Sequence, residues 1–400
     1  MATNRSLAWP LLLAISTAHL FNDMLQALLP MLYPQLREAH GLSYGQLGAV
    51  TFVFHLVGSV CQPLVGAWGD RRPRTGLLPL AMLCSGLALS LLAFAQSFSG
   101  LLLVAGLLGL GSSLFHPEGS RSARMVSGGR HGLAQSVFQL GGNIGSALAP
   151  LLIALLISPL GLGLLGWLPL LAVAGGGLLL WLRPRLAPYR AACPQGGTLA
   201  DGGRLHTVAM LLLSVLILSK YVYLAAMANY YSFYLIERFG LSAAQAQLQL
   251  FVFLAAVAVG TLLGGPLSDR FGQRPVILLS ILGSCPFTLL LPQVGLEGAI
   301  LLSVAIGVTM ASAFPIIIVY AQRLMPQRIG LIAGFFFGLT FGISGIAAAV
   351  LGLLADWKGI VFLFEACAYL PLLGILALWL PRSEKAVTPG LEGVALGSKP

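Results

Sequence analysis

Charged side chains are scarce in this sequence. Only 8% of its 400 residues are Asp, Glu, Lys or Arg, whereas 58% are hydrophobic. Soluble domains carry about 25% charged residues, and 22 basic and 12 acidic side chains cannot cover a water-exposed surface of this size. The scarcity excludes a soluble enzyme or regulator and predicts a chain whose solvent is a lipid bilayer.

Cysteine is sparse as well, and its pattern excludes two kinds of stabilising site. The five cysteines are Cys61, Cys84, Cys193, Cys285 and Cys367. Their number is odd, and they show no CxxC or Cys/His ligand spacing, so we expect no disulfide framework and no bound metal. The first apolar run follows Arg5, lacks a small-residue cleavage site and exceeds signal-peptide length, which predicts an uncleaved first span.

Long apolar runs are abundant. A transmembrane helix needs about 20 apolar residues, and the runs between polar or Pro/Gly-rich breaks number twelve. The predicted spans are 8–36, 43–68, 75–95, 98–126, 131–157, 162–182, 206–236, 243–268, 275–292, 297–324, 328–354 and 359–381. The sequence therefore predicts an all-α, polytopic membrane protein with twelve transmembrane helices.

Basic residues gather on one side of these spans. With the N-terminus in the cytoplasm, 17 of the 22 Lys and Arg residues fall on the cytoplasmic side, and only Arg37, Arg238 and Lys358 fall outside. This asymmetry predicts cytoplasmic N- and C-termini. It also explains the net charge of +10 without a nucleic-acid-binding surface, which needs its basic residues on one exposed face.

The chain contains an internal repeat with an offset of 199 residues. GAWGDRRPRT, which begins at Gly66, and GPLSDRFGQR, which begins at Gly265, each lie between the second and third spans of their half. Arg124 and Arg323 recur at the same offset. We predict two homologous six-helix bundles, 1–182 and 206–381, a cytoplasmic linker at 183–205 and a disordered cytoplasmic tail at 382–400. Internal duplication around a central site is typical of secondary transporters.

These two loops resemble the G-x-x-x-D-R-x-G-R-R signature of the major facilitator superfamily. The second copy matches well and the first more loosely, with Pro73 in place of the second glycine; the matching residues are Gly66, Asp70, Arg71, Arg74, Gly265, Asp269, Arg270, Gly272 and Arg274. Such Asp and Arg residues can pair with neighbouring helix ends and hold the cytoplasmic side closed. A solvated loop that only obeys the positive-inside rule is the alternative.

A glycine pattern in the fifth span has a similar resemblance. Gly132, Gly141 and Gly145 are spaced as in the antiporter motif G-x8-G-x3-G-P of drug exporters, with Ser146 in place of the proline. Small residues at such intervals also let helices pack closely. Antiport and helix packing therefore both explain the pattern.

Longer segments resemble the fosmidomycin resistance protein subfamily over roughly residues 15–381. They include AHLFNDMLQALLP, LFHPEGSRSARM and LSKYVYLAAMANYYSFYLIERFGLS. The resemblance implies a proton-driven exporter of the bacterial inner membrane that confers resistance to fosmidomycin, a small phosphonate antibiotic. We expect a monomer without a cofactor, whose partners are protons, a small-molecule substrate and the lipid bilayer, and not a nucleic acid.

Ionisable groups inside spans are costly and mark pathways or coupling sites. Here they are His19, Asp23, His55, His116, Glu118, Arg121, Lys220 and Glu365. His19 and Asp23 are four residues apart and share one helix face, with Asn22 beside them. A carboxylate that alternates between apolar surroundings and a nearby cation can load and release a proton. Asp23 is thus predicted to carry protons; the alternative is a structural partner of Arg121 or Lys220.

The fourth span carries a second polar group. Glu118 and Arg121 are three residues apart and can pair within the helix, and His116 precedes the helix-bending Pro117. A proton or substrate at Glu118 would break the pair and free Arg121, whereas a permanent ion pair would only anchor the helix. The predicted proton-coupling residues are Asp23, His116, Glu118 and Arg121.

Lys220 begins a polar stripe on the seventh span. Tyr223 and Tyr230 follow on the same face, which suits a small anionic ligand held between Lys220 and Arg121. The predicted substrate-binding residues are His19, Asn22, Arg121, Lys220, Tyr223, Tyr230, Gln139 and Asn143. Helix packing explains the tyrosines and amides equally well. His55 and Glu365 are expected to be local packing residues.

Two other functions stay open at this stage. An importer or uniporter of a metabolite would use the same fold without antiport. A membrane-embedded enzyme using His19 and Asp23 would need a nucleophile or cofactor motif, and the duplicated halves favour transport over such an enzyme.

Overall fold

The computed structural model describes residues 6–71, 76–92, 94–95, 97–191, 204–325 and 328–380. Every regular element within these ranges is helical, and no β-strand occurs among them. Most of the predicted linker (192–203) and the predicted tail (382–400) lie outside the described residues.

The first half of the chain forms seven helices. They are α1 (Trp9–Met31), α2 (Tyr33–His40), α3 (Tyr44–Arg71), α4 (Leu77–Leu92), α5 (Phe98–Met125), α6 (His131–Leu152) and α7 (Pro169–Ala191). Short helical turns follow α6 at Ile153–Ile157, Ser158–Leu160 and Leu162–Trp167.

The second half forms eight helices. They are α8 (Arg204–Phe239), α9 (Ala243–Phe271), α10 (Gln273–Leu282), α11 (Cys285–Leu290), α12 (Leu296–Ala311), α13 (Ala313–Leu324), α14 (Ile329–Lys358) and α15 (Ile360–Cys367). Two 3₁₀ segments, Leu291–Gln293 and Leu370–Trp379, complete the chain.

The predicted all-α, polytopic fold is confirmed. Eleven helical stretches in the described residues are long and apolar enough to cross a membrane, and α4, with 16 residues, supplies a shorter apolar helix at the position of the third predicted span. Large apolar side chains also remain exposed on many helices, for example Leu64, Leu83 and Leu301. Such a surface is suited to lipid and not to water.

Several predicted spans differ from the helices in their interior. The first ends as α1 at Met31 and restarts as α2, which has a proline in its first turn where that residue needs no N–H partner. The sixth begins at Pro169 rather than at 162, because the residues that follow the turn at Gly161 (φ of 89°) first form the 3₁₀ segment Leu162–Trp167. Apolar runs show that a segment is buried, but they do not reveal such local breaks.

Helices α3 and α14 lie antiparallel and contact each other along their whole length. Glycines permit this close approach: Gly66 faces the backbone of Gly330, Gly334 faces the carbonyl group of Gln62, and Gly352 faces that of Tyr44. Without side chains at these positions the two backbones come into direct contact. We call this contact between the two halves of the chain the α3–α14 seam.

Each end of the seam is fastened by an aspartate. Near the C-terminus of α3, Asp70 accepts hydrogen bonds from the backbone N–H groups of Gly330 (3.0 Å) and Leu331 (2.8 Å), in the first turn of α14. Near the C-terminus of α14, Asp356 accepts hydrogen bonds from Tyr44 (3.1 Å) and Gly45 (2.8 Å), in the first turn of α3.

The two aspartates therefore cap each other's helices. Unpaired N–H groups and the helix dipole both favour a carboxylate at a helix N-terminus. We call the end that carries Asp70 the motif end, because the Gly66 and Gly265 loops lie there, and the end that carries Asp356 the far end. We call the hydrogen bonds of Asp70 to Gly330 and Leu331 the Asp70 latch, and those of Asp356 to Tyr44 and Gly45 the Asp356 latch.

We expect Gly334→Ala to destabilise the protein. The added Cβ would lie 2.5 Å from the carbonyl oxygen of Gln62, a backbone atom that cannot rotate away, and overpacking of this kind costs about 1–3 kcal/mol. The control is Gly177→Ala on α7, where nothing lies within 4 Å of the new Cβ and alanine improves helix propensity by about 1 kcal/mol. Thermal unfolding in detergent should show a lower Tm for Gly334→Ala only; equal Tm values would contradict the close approach.

Candidate functional site

Asp23 lies between two histidines from different helices. Its Oδ2 is 3.2 Å from His19 Nε2, and its Oδ1 is 3.4 Å from His116 Nε2. Asn22 Nδ2 also donates a hydrogen bond to Oδ1 at 3.0 Å. The side chain of Asp23 is 20% exposed, whereas the two histidines are almost fully buried. We call His19, Asp23 and His116 the Asp23 cluster; Asp23 is its accessible member.

The helices fix the geometry of this cluster. The four-residue spacing places His19 one turn before Asp23 on α1, as the sequence predicted, and α5 brings His116 from the other side. The ring of His19 stacks on Phe138 of α6 with centroids 4.0 Å apart. Phe337 of α14 lies 5.1 Å from the ring of His116. Aromatic contacts thus hold both imidazoles in place.

Gly142 of α6 also belongs to this site, although the sequence analysis did not single it out. A Cβ at Gly142 would lie 2.5 Å from Asp23 Oδ2 and 2.6 Å from His19 Nε2. The neighbouring Gly141 and Gly145 face the backbones of Ser16 and Leu20 on α1. The glycine pattern thus packs α6 against the helix that carries Asp23. The adjacent glycines Gly141 and Gly142 are the sequence feature from which the role of Gly142 could have been predicted.

The outer ring nitrogens determine where the histidine protons lie. His19 Nδ1 is 2.7 Å from the carbonyl oxygen of Phe138, and His116 Nδ1 is 3.0 Å from that of Ser112. A carbonyl oxygen only accepts hydrogen bonds, so these contacts assign the hydrogen to Nδ1 of each ring; the hydroxyl of Ser112 also lies 3.1 Å from His116 Nδ1. Each neutral imidazole then points the Nε2 lone pair at a carboxylate that also offers only lone pairs. The Asp23 cluster is consequently repulsive until it takes up a positive charge.

Glu118 and Arg121 form a different site at the motif end. Arg121 donates hydrogen bonds to Glu118, to the carbonyl oxygen of Gly66 (2.7 Å) and to Asp70 Oδ1 (3.1 Å). Glu118 and Arg121 are both buried, and they join the Asp70 latch. His116 lies two residues before Glu118 and so faces another side of α5.

The HPE-x-x-R segment is therefore divided between two sites. We predicted that Arg121 faces Lys220 across a cavity; the structure instead places its guanidinium against Glu118, Gly66 and Asp70. The alternative role for Asp23, as a partner of Arg121 or Lys220, is not what the structure shows either, because the ionisable partners of Asp23 are the two histidines.

The other residues of the loop motif have separate positions. Arg71 is exposed, Gly272 makes a turn with a φ of 89°, and Arg274 donates a hydrogen bond to the carbonyl oxygen of Leu378. Gly265 approaches the side chain of Ser136, and the guanidinium of Arg270 lies 5.2 Å from the ring of Phe271. Arg74 and the side chain of Asp269 lie outside the described residues.

Lys220 is buried on α8 in aromatic surroundings. Among the described residues, no carboxylate lies within 4 Å of its amine. The amine lies 5.4 Å from the ring of Tyr221 and 5.9 Å from that of Phe314. Phe314 contacts Phe337, which contacts His116, so aromatic rings connect Lys220 with the Asp23 cluster across the two halves.

Two of the remaining predicted substrate residues form hydrogen bonds between helices. Tyr230 donates a hydrogen bond to the carbonyl oxygen of Ala348 at 2.5 Å, within the α3–α14 seam. Asn143 donates to Thr261 Oγ1 at 2.6 Å, between α6 and α9. Tyr223 and Gln139 are buried; the Tyr223 hydroxyl and the Gln139 Oε1 make no hydrogen bond to the described residues.

His55 and Glu365, which we expected to be local packing residues, form no ion pair with the described residues. His55 packs against the rings of Phe54 and Phe341. Glu365 lines a small cavity of about 240 Å³ together with Gln293 and Tyr369.

Comparisons with known proteins agree with this architecture. Residues 15–235 and 209–397 match the Major Facilitator Superfamily. The fosmidomycin resistance protein of Escherichia coli (strain K12) is 48% identical over 375 residues, which cover 93% of this chain and 92% of that protein. The uncharacterized MFS-type transporter YfnC of Bacillus subtilis (strain 168) is 41% identical over 384 residues, 94% of each chain.

A solved structure shows the same fold. The crystal structure of the human organic anion transporter MFSD10 (TETRAN) matches with a TM-score of 0.74, covering 93% of this chain and 99% of that chain, at 17% identity. The family match extends over both halves, and two bacterial relatives align over nearly the whole chain. This chain therefore belongs to the major facilitator superfamily of membrane transporters.

Proposed function

We propose that this protein exports a small anionic or amphipathic compound, such as fosmidomycin, in exchange for protons by alternating access. The Asp23 cluster is the observation that carries the proposal, because its three groups present only lone pairs to one another until a proton arrives. The 48% identity to a fosmidomycin resistance protein supports the choice of substrate. The two bacterial relatives support a location in a bacterial inner membrane, and the asymmetry of basic residues supports cytoplasmic termini.

The protonated and the unprotonated Asp23 cluster favour different conformations of the protein. A proton shared between Asp23 and a histidine removes the repulsion within the cluster. Because Asp23 alone is partly exposed, it is the group that exchanges the proton with water when one end of the protein opens. Loss of the proton restores the repulsion and favours a different arrangement of α1 and α5.

Helix α5 connects this site with the motif end. It carries His116 in the Asp23 cluster and, five residues later, Arg121 in the Asp70 latch. At 1.5 Å per residue the two positions are about 7.5 Å apart along the helix axis. A movement of α5 that follows protonation therefore changes both the proton site and the latch.

Lys220 is proposed as the partner of the anionic substrate. A buried ammonium group without a nearby carboxylate is costly, and an anion relieves that cost. Its position in the second half, with aromatic side chains between it and the Asp23 cluster, separates the anion from the proton carrier. Exchange of the two ligands then requires movement of one half relative to the other.

Asp23→Asn should uncouple transport from the pH gradient. Asparagine cannot carry the proton, so a pH gradient should no longer drive fosmidomycin transport in proteoliposomes, and the flux should fall to the level measured without a gradient. Counterflow of fosmidomycin without a gradient should persist, which shows that the variant is folded. His55→Gln is the control and should retain gradient-driven transport. If the wild-type flux does not depend on the pH gradient, antiport is contradicted and a uniporter is favoured.

Lys220→Ala should weaken binding of the anionic substrate. Hydrogen bonds to charged groups contribute about 1.5–3 kcal/mol, so the Kd for fosmidomycin should rise by about 10–150-fold. Lys220→Arg should recover part of the affinity, and Lys358→Ala, which removes a lysine beside Trp357, should leave it unchanged. Binding to the purified variants at fixed pH measures this directly. An unaltered Kd in Lys220→Ala would remove the lysine from the binding site.

The two latches should control opposite ends. A helix cap contributes about 1 kcal/mol, so Asp70→Asn should favour opening at the motif end and Asp356→Asn opening at the far end, each by about fivefold. Spin labels at Arg130 and Phe271 report on the motif end, and labels at His40 and Ala244 report on the far end. Double electron–electron resonance should show a longer distance between the two spin labels only at the end that carries the substitution. Equal changes at both ends in each variant would contradict separate latches.

A further inference from the structure

We propose that the Asp23 cluster is also a binding site for a divalent first-row transition metal ion. Metal binding here does not depend on the protein being an exporter. No metal site was predicted from the sequence, because His116 is far from His19 and Asp23 along the chain and metal-ligand spacing is recognised only between near neighbours. The fold brings the three groups together.

The positions of the donor atoms fit a bound ion. The two histidine nitrogens and the carboxylate oxygen lie within 4.8 Å of one another. Around a tetrahedral Zn²⁺, with ligands at about 2.0–2.2 Å, neighbouring ligand atoms are about 3.3–3.5 Å apart. The separations of 3.2 Å from His19 Nε2 to Asp23 Oδ2 and of 3.4 Å from His116 Nε2 to Asp23 Oδ1 match this value. Each histidine is thus paired with a different oxygen of the carboxylate, which lies between the two rings.

The histidines are already oriented as metal ligands. A ligating histidine almost always donates its other ring N–H to a carbonyl or carboxylate, which directs the free lone pair at the metal. Both Nδ1 atoms make this contact, with the carbonyl oxygens of Phe138 and Ser112. His19 Nε2 is buried and makes no hydrogen bond of normal geometry with the described residues. Its lone pair is aimed at the proposed site without another partner.

The ligand set indicates the class of metal and leaves a coordination position open for another ligand. Two imidazoles and one carboxylate suit Zn²⁺, Fe²⁺ and related ions and are a poor match for Mg²⁺ or Ca²⁺, which prefer oxygen ligands. Three protein ligands leave at least one coordination position open, and the partly exposed Asp23 places it toward solvent. With one carboxylate against two positive charges, the occupied site retains one positive charge that an oxyanion can neutralise.

A proton and a metal ion compete for this site, because both use the same lone pairs. Metal affinity should therefore fall as the pH decreases. A bound ion should also prevent the proton from reaching Asp23, so the metal should inhibit proton-driven transport. Among the described residues, no further ionisable group forms an ion pair with the cluster. Its neutral neighbours include Asn22, Ser112, Phe138, Gly142 and Phe337.

Titration of the purified, metal-stripped full chain with Zn²⁺ tests the proposal. We expect one site per chain, with an affinity that increases from pH 6 to pH 8. His19→Gln, Asp23→Asn and His116→Gln should each weaken binding by more than about 10–100-fold, the effect of losing even an outer-shell partner. His55→Gln, which changes a histidine outside the cluster, should bind Zn²⁺ like the wild type.

Two further measurements make the result decisive. Co²⁺ in place of Zn²⁺ should give visible absorption typical of nitrogen and oxygen ligands; intense thiolate charge-transfer bands would instead assign the ion to cysteines and overturn the proposal. Thermal unfolding of each variant shows that it is folded. Absence of binding to the wild type, or binding unchanged in all three cluster variants, would also overturn it. Zn²⁺ binding without pH-driven fosmidomycin transport would leave this site intact and refute only the exporter function.

Discussion

A charge inside an apolar interior is stable only beside an opposite charge, and this constraint organises the whole structure. The chain has few charges, and it satisfies the buried ones in three ways. Arg121 is balanced within the protein by Glu118 and Asp70. The Asp23 cluster lacks a cation, and Lys220 lacks a carboxylate among the described residues. The first arrangement is complete without a ligand, whereas the other two are the sites at which we propose that ligands of opposite sign bind.

The completed arrangement lies where two halves of the chain meet. Asp70 balances Arg121 and caps α14 with the same carboxylate, so one side chain joins three helices. Asp356 caps α3 at the other end without a comparable arginine contact in the described residues. Glycines between these two aspartates allow the backbones of α3 and α14 to come into direct contact. Where one backbone contacts the other, no long side chains interdigitate, so none has to move there if the two helices separate. Each end of the α3–α14 seam is thus fastened by one aspartate, and the proposed opening at alternate ends would release one of these contacts at a time.

Hydropathy and local spacing revealed much of this architecture. Twelve apolar segments, the repeated Asp70 and Asp269 loops and the shared face of His19 and Asp23 all follow from periodicities that a helix imposes on its own residues. Periodicity does not reveal which helices become neighbours. For this reason the sequence associated Arg121 with Lys220, whereas tertiary packing places it beside Asp70. The same limitation concealed the role of Gly142, the capping by Asp356 and the approach of His116 to Asp23.

The separation of His116 from Arg121 has a mechanistic consequence. If both had faced one ligand, protonation and substrate binding would have competed directly for one charge. Instead α5 carries one residue in the proton site and the other in the latch, so the helix itself must transmit the effect. Pro117 lies between them and removes a backbone hydrogen bond from the helix, a change that permits bending at that point. In the proposed mechanism, a proton at Asp23 would therefore alter the angle of α5 and the Arg121–Asp70 contact without any direct interaction between the two charged groups. Coupling through a helix that bends at Pro117 would keep the proton site apart from the α3–α14 seam.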